Sequence, residues 1–470
     1  MVAFVLVYLA VTIIIGLWTV RWVRNSEDYL LAGRKLPLII VVATLFATWY
    51  GSETILGAST EFIQGGLIAV VRDPFGAALC LFLVGLFFAR PVYRMKLLTL
   101  GDFYRVCYGN RIELFASVCI ILSYLAWIAA QFVAFGIISN ALIGTSLTEG
   151  IILATAIVTL YTFVGGMWAV SITDFMQSIL IVLGLILASF QIFGIVDFNA
   201  LLANTPEGFF RFLPDADFTS VGNYFAAWIT IGLGSISTQV IFQRVMSAKS
   251  EKVAVRGAYI AGFMYLTLGL IPLILALSAP ILLPDFKAAH SGTPYMQMLI
   301  PNLVEGFTSP LVQVLFFGAL LSAILSTASS ALLAPASILS ENILKPIKGN
   351  VTDKGLLGLT RYAVIAIALI ALALALHRGD IYNLVGLAAS VGLTTLFVPF
   401  AAGLYWKKAN ATAAFASMIT GLIVWAVASL IATDINPVLF GFVASIVGLW
   451  LGAFIKLPIA SATTNNRKSL

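Results

Sequence analysis

The sequence predicts an all-α integral membrane protein of about thirteen spanning helices, and three observations carry that expectation. Of 470 residues, 61% are hydrophobic and 10% charged, with a mean hydropathy of +1.05; soluble domains carry about a quarter charged residues. Apolar stretches of about twenty residues recur along the whole length, each able to cross a hydrocarbon core roughly 30 Å thick. Arg and Lys gather on alternate connections between these stretches, the positive-inside pattern of helical membrane proteins.

In chain order the expected spans are 2–23, 38–65, 67–93, 113–144, 149–164, 168–196, 221–246, 253–284, 308–344, 356–377, 380–405, 410–433 and 436–456. The first lacks a basic leader and is followed by Arg21 and Arg24 with no small-residue cleavage site, so it reads as a spanning helix and not a signal peptide. The odd number of spans places the termini on opposite sides. With the N-terminus outside, the inner connections and tail hold 22 Arg and Lys, Arg244 among them, against Arg211, Lys287 and Arg378 outside; Arg72 lies within a span. The expectation is a multi-pass protein of the plasma (inner) membrane, C-terminus cytoplasmic. It comprises an extra helix at 1–23, a core at 38–405 divided into 38–196 and 221–405, two further helices in 410–456, and a tail at 457–470. The net charge of +6 is thereby a topology signal. It calls for a lipid bilayer and no nucleic acid.

Other chemistries find no support. Cys80, Cys107 and Cys119 show neither metal nor redox spacing and read as buried small residues. His290 and His377 lack companion ligands. There is no Walker-type phosphate loop, so ATP-driven transport is unsupported, and no enzyme is expected.

The informative residues are polar ones inside spans, where an ionisable group by default lines a pathway or site. Glu53, Arg72, Asp73 and Asp174 are such groups. Gly51, Ser52, Glu53 and Thr54 interrupt the second span; Gly232, Gly234, Ser235, Ser237, Thr238 and Gln239 interrupt the seventh. Corresponding breaks in two halves of a chain point to the binding site of a secondary transporter; kinked structural helices are the alternative reading. The run LSAILSTASSALLAP at 321–335 adds hydroxyls to an apolar helix. At about 100° per residue, the Ala323 carbonyl, Ser326 and Thr327 share one face, and Ser326, Ser329 and Ser330 an overlapping one. Packing of small residues would explain part of this run. Hard oxygen donors also suit a cation such as sodium, and Asp174 would strengthen the second face.

Several separate motifs, in order, resemble the sodium:solute symporter family, nearest its high-affinity choline transporter branch. They are NSEDYLLAGRKLP at 25–37, TLFATWYGSETILGASTE at 44–61, GLFFARPVYR at 85–94, TLYTFVGGMWAVSITDFMQ at 159–177, IFQRVMSAKS at 241–250 and LLSAILSTASSALLAPASILSENI at 320–343. The resemblance implies a LeuT-type core of two inverted five-helix repeats. It implies sodium ions as the coupling species and, by the match of every oxygen-bearing position, two per cycle. The first would bind the carbonyls of Ala47, Tyr50 and Ala323 and the hydroxyls of Ser326 and Thr327; the second would bind Asp174, Ser326, Ser329 and Ser330. It further implies a small polar organic substrate. Trp49 and Trp127 match two positions of the aromatic cage that encloses a quaternary ammonium in that branch. Thr238 stands where the branch has Trp, and Ala78 where it has another aromatic. Arg72 and Asp73 replace neutral residues, which suits a zwitterionic amino acid or betaine. Thr238 and Gln239 are expected polar contacts. A transporter-like solute sensor, or a symporter for a small carboxylate, are the alternatives.

Overall fold

The computed structural model describes residues 14, 18–22, 26–162, 167–203, 205–291, 294–377, 380–431 and 433–455. The expected span at 2–23, apart from Ile14 and residues 18–22, and the tail at 457–470 lie outside the described residues.

The first half opens with a broken helix. Helix α1, Leu38–Ala47, ends in turns at residues 48–51. Helix α2 then begins in wide π form at Glu53–Ala58 and continues through Ser59–Gly65. There follow α3, Leu67–Met95, the short α4, Leu100–Tyr108, α5, Asn110–Ile143, α6, Leu147–Thr162, and α7, Met167–Phe193. The second half repeats the device. Helix α8, Phe218–Gly232, is separated by turns from α9, Gln239–Ser247. Next come α10, Glu251–Leu282, the connecting α11, Leu299–Phe307, α12, Pro310–Lys348, α13, Asp353–His377, and α14, Ile381–Tyr405. Two more, α15, Ala411–Leu430, and α16, Pro437–Phe454, complete the described chain.

Local sequence explains many starts. Asp217, Ser250, Asp380 and Asn410 each accept an N–H of the following helix's first turn, capping α8, α10, α14 and α15. Pro310 and Pro437 occupy first-turn positions, where a missing N–H costs nothing. The second break depends on one close approach. A Cβ at Gly234 would strike the carbonyls of Thr230 and Ala389, so only glycine lets the turn lie against α14.

Among the described residues nine helices are long and apolar enough to cross a membrane. The difference from thirteen lies in the two broken helices, the shorter apolar helix at Leu147–Leu160, and the stretch at 2–23. Position in the bundle follows burial. The most apolar part of α5 is 78% buried, against 33% for α15 and α16, so α5 is central and the last pair peripheral. Leu160, Phe190 and Leu430 stand exposed on the outside, a surface that suits lipid.

Three packing relations position the site. Helix α7 packs on both α1 and α12. At Gly184 a Cβ would lie only 3.1 Å from Phe316 Cα, so α7 and α12 nearly touch along their backbones. At the Arg- and Lys-rich end, Leu36 bridges the segment after α9: Leu36 N–H donates to Ser247 O and Lys249 N–H to Leu36 O, both at 3.0 Å. This pair ties the start of one broken helix to the end of the other.

Candidate functional site

The first break exposes backbone oxygens where a membrane permits them only against protein, water or an ion. Among the described residues, no backbone N–H reaches the carbonyl oxygen of Ala47 or Tyr50 with hydrogen-bond geometry. Side chains hold the surrounding turns in place. Thr48 Oγ1 donates to Thr44 O at 2.5 Å, Tyr50 Oη to Leu268 O at 2.8 Å, and Ser52 Oγ to Gln131 Oε1 at 3.1 Å. Tyr50 stacks on Phe46 with ring centroids 4.4 Å apart.

Asp174 joins this break to the hydroxyl-bearing helix. It lies in α7, buried, where Thr44 Oγ1 of α1 donates to Oδ2 at 2.6 Å. The next turn of α7 reinforces the contact: Ser178 Oγ donates to Asp174 O at 2.7 Å and approaches Ala43 O at 3.5 Å. On α12, Ala323, Thr327 and Ser329 are buried, and Ser330 Oγ is a buried hydroxyl with no hydrogen-bond partner. The Ser326 side chain lies outside the described residues. Thus α1 and α12, which carry the oxygens expected to hold sodium, meet a common neighbour at the helix that carries Asp174.

The sequence assigned Arg244 to an inner connection; the structure corrects that placement. Arg244 is 2% exposed within α9, and its Nη2 stands 3.5 Å from Asp174 Oδ2. Its Nε donates to Thr44 O at 2.9 Å. Arg244 is therefore the counter-charge of Asp174, not part of the topology signal, and no hydropathy pattern marks it.

A small cavity of about 40 Å³ lies beside the two breaks, room for roughly three waters. Trp49 and Glu53 reach it from the first break, Ser235 and Thr238 from the second, Tyr124 and Trp127 from α5, and Val385 from α14. Trp127 is tilted against Tyr124 at 5.6 Å, and Trp49 meets Tyr265 edge-on at 6.4 Å. Tyr124 Oη accepts Val240 N–H at 2.9 Å, which leaves its own proton to donate. Thr238 Oγ1 donates to Ser235 O at 2.8 Å, so it also stabilises the turn.

Three residues expected at the solute do not line this cavity. Arg72 lies over the Tyr382 ring, its Cζ 3.6 Å from the centroid, and donates to Tyr382 O. Asp73 is fully buried and accepts from Thr54 Oγ1 at 2.8 Å, with Tyr265 Oη on the same hydroxyl at 2.5 Å. Gln239 Oε1 accepts Leu100 N–H at 2.7 Å, linking α9 to α4. Conversely, Glu53, Tyr124 and Ser235 line the cavity without having been assigned to it. Glu53 and Ser235 carried a signal, as polar residues at the two breaks; Tyr124 carried none.

Two helical halves that each begin with a broken helix, and a small polar and aromatic cavity beside both breaks, define a secondary transporter of the inverted-repeat class. The family model described as "Sodium:solute symporter family" matches residues 29–421, and the chain belongs to that family. It is 28% identical to the high affinity choline transporter 1 of Homo sapiens over 444 residues, 90% of this chain and 75% of that protein. It is 27% identical to sodium/proline symporter 2 of Staphylococcus saprophyticus over 478 residues, 94% and 90% of the two chains. Among solved structures it matches the substrate-bound, outward-open state of a Na+-coupled sialic acid symporter, with a TM-score of 0.79 at 19% identity, covering 97% and 98% of the chains. The fold is thus the LeuT-type arrangement of two inverted repeats, and sodium is the coupling ion of the family.

Proposed function

We propose that this chain imports a small, positively charged or zwitterionic organic solute, such as a choline-like ammonium, betaine or amino acid, together with two sodium ions. One observation supports the reading: the aromatic cavity of Trp49 and Trp127 lies beside the break that follows α1, and α1 packs on the helix of Asp174, whose carboxylate accepts from Thr44. Aromatic faces attract a cation through their quadrupole. The first ion would take the carbonyls of Ala47, Tyr50 and Ala323 with Ser326 and Thr327; the second would take Asp174, Ser326, Ser329 and Ser330. Neutral oxygens bind a monovalent ion weakly enough to release it.

Coupling follows from what each ion brings together. An ion at the first site bridges α1 to α12 and holds the turn that carries Trp49. The second ion adds the electrical work of another charge. Each sodium entering down 100 mV contributes about 2.3 kcal/mol, so two support roughly a two-thousand-fold accumulation of a neutral solute from the potential alone. The cavity holds only about 40 Å³, and the Leu36 bridge ties the two broken helices together at the Arg- and Lys-rich side. Alternating access therefore requires that bridge to part after loading from the other side.

The test is uptake of radiolabelled choline, proline and ethanolamine into proteoliposomes of the purified chain. Accumulation of at least one should need an inward sodium gradient and collapse with a sodium ionophore. Uptake that proceeds equally in potassium would overturn the reading.

A further inference from the structure

Glu53 is the feature that this account leaves over. It is 5% exposed, lines the cavity, and its Oε1 has no hydrogen-bond partner. A buried carboxylate without donors is costly, and the cost is retained only where something else supplies the partner. The cavity wall supplies none with a positive charge: its other lining residues are aromatic, aliphatic or hydroxyl-bearing. Arg72, the nearest chemical candidate, is held on Tyr382 instead. Gly386 maintains that arrangement, because a Cβ there would collide with the Arg72 guanidinium. Asp73 takes a hydroxyl from Thr54 on Oδ2, while its Oδ1, like Arg72 Nε, has no hydrogen-bond partner. Two buried carboxylates thus share the surroundings of one guanidinium, and the one that lines the cavity, Glu53, receives no hydrogen bond.

We infer that Glu53 is the anchor for the solute's ammonium group, and that the solute is a small amine carrying at least one N–H. This rests on the symport reading above and narrows its substrate class. An N–H ammonium gives Glu53 both a counter-charge and a charge-assisted hydrogen bond, whereas a quaternary ammonium gives only the charge. Trp49 and Trp127 then stabilise the cation's remaining surface. The Tyr124 hydroxyl proton is placed to serve an acceptor elsewhere on the solute. The small cavity favours a compact molecule over a bulky trimethylated head. Sodium does not compete for this role, since its oxygens lie along α1, α7 and α12.

The experiment is thermal unfolding of the purified full chain in sodium chloride and in potassium chloride, with ethanolamine, dimethylethanolamine, choline or propionate added. The sodium-alone shift over potassium reports the ion sites without any solute. In sodium, ethanolamine and dimethylethanolamine should stabilise the protein at about tenfold lower concentration than choline, the loss expected when one charge-assisted hydrogen bond is missing. Propionate should do nothing. Glu53→Gln should keep the sodium-alone shift, which shows it folded, and lose the amine shift; Glu53→Asp should keep the preference for N–H amines at reduced affinity. Choline matching ethanolamine, propionate stabilising, an amine response surviving in Glu53→Gln, or a sodium shift with no amine shift would each overturn the inference while leaving sodium coupling intact. Absence of any sodium-alone shift would overturn the symport reading and this one with it.

Discussion

Arg244 Nη2 stands 3.5 Å from Asp174 Oδ2 with both side chains buried, and Thr44 hydrogen-bonds to each of them. The three residues come from α9, α7 and α1, so the pair links the second half's broken helix to the first half's. Breaking a buried ion pair by removing one partner costs about 3–5 kcal/mol, because a charge is left uncompensated. Arg244→Gln should lose about that much stability in potassium and recover part of it in sodium, which restores a positive charge beside Asp174. Adding Asp174→Asn should relieve the loss without sodium. Unfolding curves of the single and double variants in both salts check this.

Ser330 separates an ion role from a packing role. Its hydroxyl is buried without a partner, so Ser330→Ala removes no hydrogen bond of the protein. Stability in potassium should stay within about 0.5 kcal/mol of the parent. The stabilisation by sodium should fall. A variant destabilised equally in both salts would assign Ser330 to helix packing.

Trp49 and Trp127 should act on solute and not on sodium. Cation–π contacts are worth roughly 0.5–2 kcal/mol, so Trp127→Ala and Trp49→Ala should each weaken solute affinity by about twofold to thirtyfold. The sodium-alone shift should be unchanged. Titration of a bound amine by calorimetry reads both.

The bridge between Leu36 and the segment after α9 should act as a gate. The two backbone bonds at 3.0 Å place Leu36 beside Ala248 as a parallel pair. Cysteines at both positions should cross-link under mild oxidant and stop uptake, and a reductant should restore it. Full uptake by the oxidised double variant would remove this contact from the transport cycle.

Much of the fold was legible because breaks, apolar lengths and caps are local. The two interruptions were visible as Gly and hydroxyl clusters: the second turn falls at its cluster, beyond Gly232, whereas the first, at residues 48–51, lies largely before its cluster, of which Glu53 and Thr54 already open α2. Helical phase can be drawn inside the continuous α12, which runs unbroken through the hydroxyl run. It fails across a break, since no 100° step carries through a turn, and so Glu53 could be noted as unusual but not aimed. Arg72 and Asp73 could not be placed from the sequence for a different reason. Tyr382, and the Tyr265 that joins Asp73 through the Thr54 hydroxyl, lie far along the chain, and nothing local announces an arginine stacked on a ring of α14. Arg244 falls at the very end of the expected span 221–246, where it was counted with the inner connections, and only tertiary packing shows it buried.

The central claim is that oxygens gathered around Asp174 and the hydroxyl face of α12 form two sodium sites, one of which depends on Asp174. Equilibrium binding of radioactive sodium to the purified chain tests it without knowledge of the solute. The account predicts two ions per chain for the parent and one for Asp174→Ala, with the remaining ion bound at undiminished affinity. Equal stoichiometry in parent and variant would contradict it.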